Sequence, residues 1–214
     1  MFDKILEHDW LRQEDRLEAM TGRAIGIQEA GDTAAAEIAL SGVVRFFRHA
    51  QRQGPMDDHG LVAEAAFRMG DIARQYYMDV RLEFPLAVLR QRLEYKCQHL
   101  ITAQHRYLQA IRHGDAHTVA AAGFHIGMLY ETLYDALTGM EAPSELTSEQ
   151  REVYQEEVTR RVRVLLRKSI RIYENALRVG RVAPTASAWI QRLNEALERL
   201  KGLYLASKDA SDLS

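Results

Sequence analysis

Residues 124–137 read FHIGMLYETLYDAL. Phe124, Ile126, Tyr130, Leu133 and Tyr134 recur at helical spacing, yet Gly127 stands among them. A glycine inside a helix costs about 1 kcal/mol relative to alanine, so the position needs a compensating reason. The same question arises 57 residues earlier, at Gly70 in AAFRMGDIARQYYMDV (65–80). With the two glycines aligned, Phe67 meets Phe124, Met69 meets Ile126 and Tyr77 meets Tyr134.

The segments that follow correspond as well. TAQHRYLQAI places Ala103, Tyr107 and Ala110, and RKSIRIYENAL places Ser169, Tyr173 and Ala176, at an offset of 66. A loop around Pro143 absorbs the nine extra residues. Each unit is a shorter helix carrying Phe-x-[Met/Ile]-Gly and a longer one carrying small-x3-Tyr-x2-Ala. The glycine reads as a notch that lets the partner helix approach, and the chain reads as repetitive.

The remaining chain divides at its four prolines, Pro55, Pro85, Pro143 and Pro184, each at a place where a helix could break. Apolar residues three and four apart predict seven helices, at about 2–29, 32–52, 58–83, 86–113, 116–139, 147–180 and 184–206. No useful stretch alternates with period two, so the expected fold is all-α: stacked antiparallel helix hairpins, two helices being long. In 86–113 the apolar seam is Leu86, Leu89, Leu93, Cys97, Leu100, Ala103, Tyr107 and Ala110. In 147–180 it is Tyr154, Val158, Val162, Leu165, Ser169, Tyr173 and Ala176. The units are an N-terminal hairpin (1–57), two extended helix pairs (58–183), a capping helix (184–206) and a disordered tail (207–214). Gly31-Asp32 echoes the junction at Gly114-Asp115, which supports a hairpin in the first unit.

Composition narrows the function classes. The chain has 214 residues, 47% hydrophobic and 27% charged, which suits an ordered protein with a packed core. A net charge of -2 gives no reason to expect nucleic acid. The single cysteine, Cys97, cannot form an internal disulfide. No apolar run reaches the roughly 20 residues that span a bilayer, so stable membrane insertion is not expected. The start, MFDKILEHDWLRQEDR, does not read as a secretory signal. A cytoplasmic place is expected if Met1 is the natural start, and the cell envelope if the chain is part of an exported one.

Apolar-Gly-x2-Tyr on a first helix and Ala-x3-aromatic-x2-Ala on a second resemble the tetratricopeptide repeat. Ile126, Gly127 and Tyr130 fit the first helix, and Ala103, Tyr107 and Ala110 the second. Ala73 stands where the first copy would carry the tyrosine, Ser169 replaces an alanine, and the period far exceeds 34. The longer order of segments over 58–206 is similar to the C-terminal region of large bacterial repeat proteins of the adventurous gliding-motility machinery. That resemblance implies a non-enzymatic envelope scaffold. The tetratricopeptide resemblance implies that the first helices line a concave groove, with Phe67, Asp71, Arg74, Phe124, Met128 and Glu131 facing a peptide or helical segment of another protein. Each of these six reads equally well as core packing.

Candidate chemistry is sparse. Of eight histidines, His113 and His117 are separated by a helix junction, and His99 and His105 point to different sides. No metal or other cofactor is expected. His125, beside Gly127, reads as a packing or capping group. There is no Gly-x-Ser-x-Gly and no glycine-rich phosphate loop, and Cys97 lies on an apolar seam. Glu149, Glu152, Glu156 and Glu157 read as a solvated face. Arg160, Arg163, Arg167, Arg171 and Arg178 fall within about 80° of one another around their helix. They read as a solvated face with Glu156–Arg160 and Glu174–Arg178 pairs, or as a stripe for an acidic partner or lipid headgroups. A protein-binding scaffold without catalysis is the first expectation. A helical bundle holding a small ligand or metal, as sensor or enzyme, is the alternative, and an electrostatic lipid-surface binder is a third.

Overall fold

The computed structural model describes residues 2–6, 8, 11–57, 59–181 and 186–212. Among them are a one-turn helix, α1 (Phe2–Leu6), and seven longer ones: α2 (Gln13–Glu29), α3 (Thr33–Ala50), α4 (His59–Asp79), α5 (Leu86–His113), α6 (Ala116–Thr138), α7 (Ser148–Gly180) and α8 (Ser187–Asp212). No strand occurs among the described residues. The fold is all-α.

Three hairpins follow one another: α2 with α3, α4 with α5, and α6 with α7. Each second helix also packs on the next first helix, and the first helices α2, α4, α6 and α8 touch in sequence. The buried side chains divide accordingly into three clusters in series. One is centred on Leu17, Leu40, Phe47 and Met69, one on Tyr77, Tyr107 and Leu129, and one on Leu166, Tyr173, Leu193 and Leu200.

Local chemistry sets the boundaries. Asp32 and Asp115 cap α3 and α6, accepting from the backbone N–H of Ala35 (3.0 Å) and Thr118 (2.9 Å). The two Gly-Asp junctions are therefore helix starts, and Gly31 supplies the left-handed turn, φ +89°. Thr147 and Gln150 close a capping box at α7. Lys96 donates to the carbonyls of Tyr77 (2.9 Å) and Val80 (2.8 Å), so α4 ends at Asp79 rather than near 83.

Two other expectations differ. The helix expected over 2–29 is divided, because α1 folds back and Phe2 covers Gly22, where a Cβ would lie 2.5 Å from the ring. The last helix continues to Asp212, so 207–212 extend it instead of forming a tail, in keeping with a stretch that holds no glycine or proline. Pro184 and the expected start of that helix lie outside the described residues.

The long helices are buried unevenly. In α5 the fully buried residues are Lys96, Leu100, Ala103, Tyr107 and Ala110, while Leu86, expected on the seam, is 55% exposed. In α7 burial begins at Leu166 and includes Ser169, Tyr173, Ala176, Leu177 and Gly180. The N-terminal turns of both helices overhang their shorter partners.

Candidate functional site

The two aligned glycines are where the hairpins close. A Cβ on Gly70 would lie 2.6 Å from the Tyr107 ring, and one on Gly127 would overlap the edge of the Tyr173 ring. The backbone surface at each glycine is thus the seat for a tyrosine of the longer helix. Ser169 tightens the second seat by donating to the Gly127 carbonyl at 2.8 Å. Gly123, one turn earlier, faces Ala176 so closely that an added Cβ would overlap it.

Both tyrosines cross the helix they dock on, and their hydroxyls emerge at a carboxylate. The Tyr107 hydroxyl donates to Asp71 Oδ1 at 2.7 Å and accepts from Arg74 Nε at 3.2 Å. The Tyr173 hydroxyl donates to Glu131 Oε2 at 3.0 Å, and Arg199 of α8 binds the other oxygen of that carboxylate. Burial, reinforced by the neighbouring carboxylate, raises both phenols far above their ordinary range, so the hydroxyls remain donors.

Around these seats six rings form a continuous cluster across the hairpins. Phe67 meets Tyr107 at 5.4 Å and His125 at 5.6 Å between centroids. Tyr107 and His125 stack at 5.4 Å with an 11° interplanar angle. His125 continues to Phe124 (5.7 Å) and Trp189 (5.4 Å), and Phe124 stacks on Tyr173 at 5.9 Å. Arg192 lies over the Trp189 ring at 4.9 Å. The tyrosines are fully buried; Phe67, Phe124, His125 and Trp189 are half-buried. So α4, α6 and α8 each contribute aromatic edges to one face.

His125 is unusual within this cluster. Its Nδ1 is buried with no hydrogen-bond partner among the described residues. Burial brings its pKa down to about 4, with Arg74 and Arg192 acting in the same direction and Asp71 opposing. The imidazole is neutral at pH 7 and behaves as one more aromatic ring.

The six groove positions inferred from the sequence have different surroundings. Phe67 and Phe124 belong to the ring cluster. Asp71 and Arg74 are half-buried, paired with each other and held by Tyr107. Met128 is half-buried on α6. Glu131 is only 7% exposed and engaged by Tyr173 and Arg199, so it offers no free carboxylate. Sequence reasoning missed Trp189 and Arg192, because α8 lacks the Phe-x-x-Gly signal that located α4 and α6.

The arginine stripe on α7 is partly engaged. The expected Glu156–Arg160 and Glu174–Arg178 pairs do not form. Glu157 takes both Arg160 (2.6 Å) and Arg161 (2.5 Å), Glu174 turns to Lys201 of α8 (3.0 Å), and Arg178 donates to Asn175 (3.2 Å). Arg163 is half-buried. Arg167 and Arg171 line a shallow depression of about 500 Å³ with Val164, Lys168 and Ile172. Cys97 is half-buried, and burial raises its thiol pKa, which disfavours the reactive thiolate.

Among the described residues no three His, Cys, Asp or Glu side chains converge in a way that could hold a metal ion. None of the helices described is long and apolar enough to cross a membrane. Comparison with protein-family models, curated proteins and solved structures finds no match.

Proposed function

We propose that the chain is a tetratricopeptide-like scaffold without catalytic activity, and that it docks an extended or helical segment of another protein on the face formed by α4, α6 and α8. The observation that carries this reading is the row of half-buried rings, Phe67, Phe124, His125 and Trp189, supplied by three stacked helices and held from behind by two buried tyrosines. Rings fixed in this way lose little freedom on binding, which favours affinity. The Asp71–Arg74 pair and Arg192 give that row a charged rim. The resemblance to gliding-motility scaffolds supplies the cellular setting of the proposal, a bacterial cell-envelope complex.

Site-specific photocrosslinking in native cells tests the reading. A photoreactive amino acid at Met128 or Arg192 is expected to give a discrete protein adduct, and the same group at Ile101, 65% exposed on α5, is expected to give none. Adducts of equal yield from all three positions, or none from Met128 and Arg192, would overturn the docking face.

A further inference from the structure

The stacking order brings chemistry together at one edge of the molecule that the repeat pattern does not announce. Helices α3 and α5 both end there, and α4, antiparallel to each, begins there. The last turns of α3 and α5 carry the same dipeptide, Arg48-His49 and Arg112-His113. The first residue of α4, His59, stacks on His113 with centroids 5.3 Å apart and Nδ1···Nδ1 at 3.1 Å, and Phe47 meets both rings edge-on.

Beside this histidine pair lies a cavity of about 150 Å³. Its polar lining is Arg48, Gln51, Gln109, Arg112 and His113, and its apolar wall is Val44, Phe47, Val62 and Ala66. None of these residues is an aspartate or glutamate, and among the described residues neither Arg48 nor Arg112 forms an ion pair. Gln109 spends one end of its amide on His105, at 3.2 Å, while its other end, Oε1, is buried without a partner. The electrostatic effect is visible at His113, whose pKa is lowered by burial, by His59 and by the two arginines.

Two guanidiniums with no ion-pair partner among the described residues, in a lining without a carboxylate around a space the size of about five waters, have one complement. We propose that this cavity binds a small oxyanion, of phosphate or short carboxylate type, between Arg48 and Arg112. Guanidiniums hold both oxyanions through paired N–H···O bonds, and the apolar wall limits the ligand to a compact one. The site shares no lining residue with the ring cluster and is independent of the docking proposal.

The test uses the intact protein at pH 7, titrated with sodium phosphate and, separately, with sodium acetate, each against sodium chloride at matched ionic strength. The readouts are Tm and the His113 imidazole NMR resonances. At least one oxyanion is expected to raise Tm saturably and to shift His113. A response to phosphate alone assigns a phosphate-type ligand, and one to acetate alone a carboxylate. Arg112→Gln and Arg48→Gln, both at exposed residues, are each expected to weaken the response at least tenfold, whereas Arg167→Gln leaves it intact. An equal response to chloride, no response to either oxyanion, or full response in both cavity variants would overturn the site.

Discussion

The hairpins α4–α5 and α6–α7 solve one packing problem in two ways. Both seat a tyrosine on a glycine and direct its hydroxyl to a carboxylate. In the first, acid and base lie on the same helix: Asp71 and Arg74 are half-buried and self-contained. In the second, the carboxylate is Glu131, at the position aligned with Arg74, and its arginine comes from α8. Glu131 is also far more buried than Asp71. The first hairpin is complete within itself, whereas the second is finished only by the helix that covers it. A repeat can keep its steric rule while redistributing its polar partners among neighbours.

The largest expected effects test the steric rule both share. Gly127→Ala is expected to cost about 3 kcal/mol and Gly70→Ala about 2 kcal/mol, because each new Cβ overlaps a buried ring and outweighs the propensity gain. Gly127→Leu goes further, to about 4 kcal/mol or more. Gly26→Ala, where nothing lies within 4 Å, is expected to stabilise by about 0.5–1 kcal/mol. Urea denaturation of the four variants checks the order and the sign. A neutral Gly127→Ala would end the notch account.

Those glycines were legible because the repeat sets two copies side by side, and so were the matched Ala103/Ser169 and Tyr107/Tyr173 pairs. The span of α5 was legible too, bounded by Pro85 and Gly114. What stayed hidden depends on how successive hairpins face each other, an angle that periodicity does not encode. His59 and His113 are 54 residues apart, and nothing in either segment reports that α4 starts where α5 ends. Arg199 reaches Glu131 only because α8 lies across α6. The break between α1 and α2 goes with Phe2 settling on Gly22, a ring-on-glycine seat like those at Gly70 and Gly127 but filled from the preceding segment rather than from the following long helix.

The aligned positions Arg68 and His125 sharpen the comparison through pH. Both reach back toward the preceding hairpin: Arg68 pairs with Glu64 and donates to Gln28 at 3.1 Å, while His125 stacks on Tyr107. Only His125 titrates in a useful range. Unfolded, its imidazole protonates near 6.5; folded, burial brings that to about 4. Between these values the unfolded state binds more protons, so stability is fully present above pH 6.5 and is lost as pH falls toward 4. The loss from this group amounts to about 3 kcal/mol at most. His125→Phe is expected to flatten the Tm-against-pH curve in that window, leaving the smaller slope from His113, whose pKa is lowered in the same sense. An unchanged slope would mean that the ring is not held neutral by its neighbours.

The smallest effects separate the two polar solutions. Tyr173→Phe removes a donor from a carboxylate with little access to water, leaving Arg199 as its remaining partner, and a cost of about 2 kcal/mol is expected. Tyr107→Phe removes a donor from Asp71, which keeps Arg74 and reaches solvent, so about 1 kcal/mol or less is expected. Both substitutions leave the ring in its glycine seat, so the difference reports the hydroxyl alone. Arg199→Gln adds the deciding comparison. It should lower stability in the parent chain and lower it further when combined with Tyr173→Phe. Its effect should be the same with and without Tyr107→Phe, because independent sites add and shared networks do not. Coupling of Arg199 to residue 107 as strong as its coupling to residue 173 would mean that the two hairpins act as one polar network, and that the first is not complete within itself.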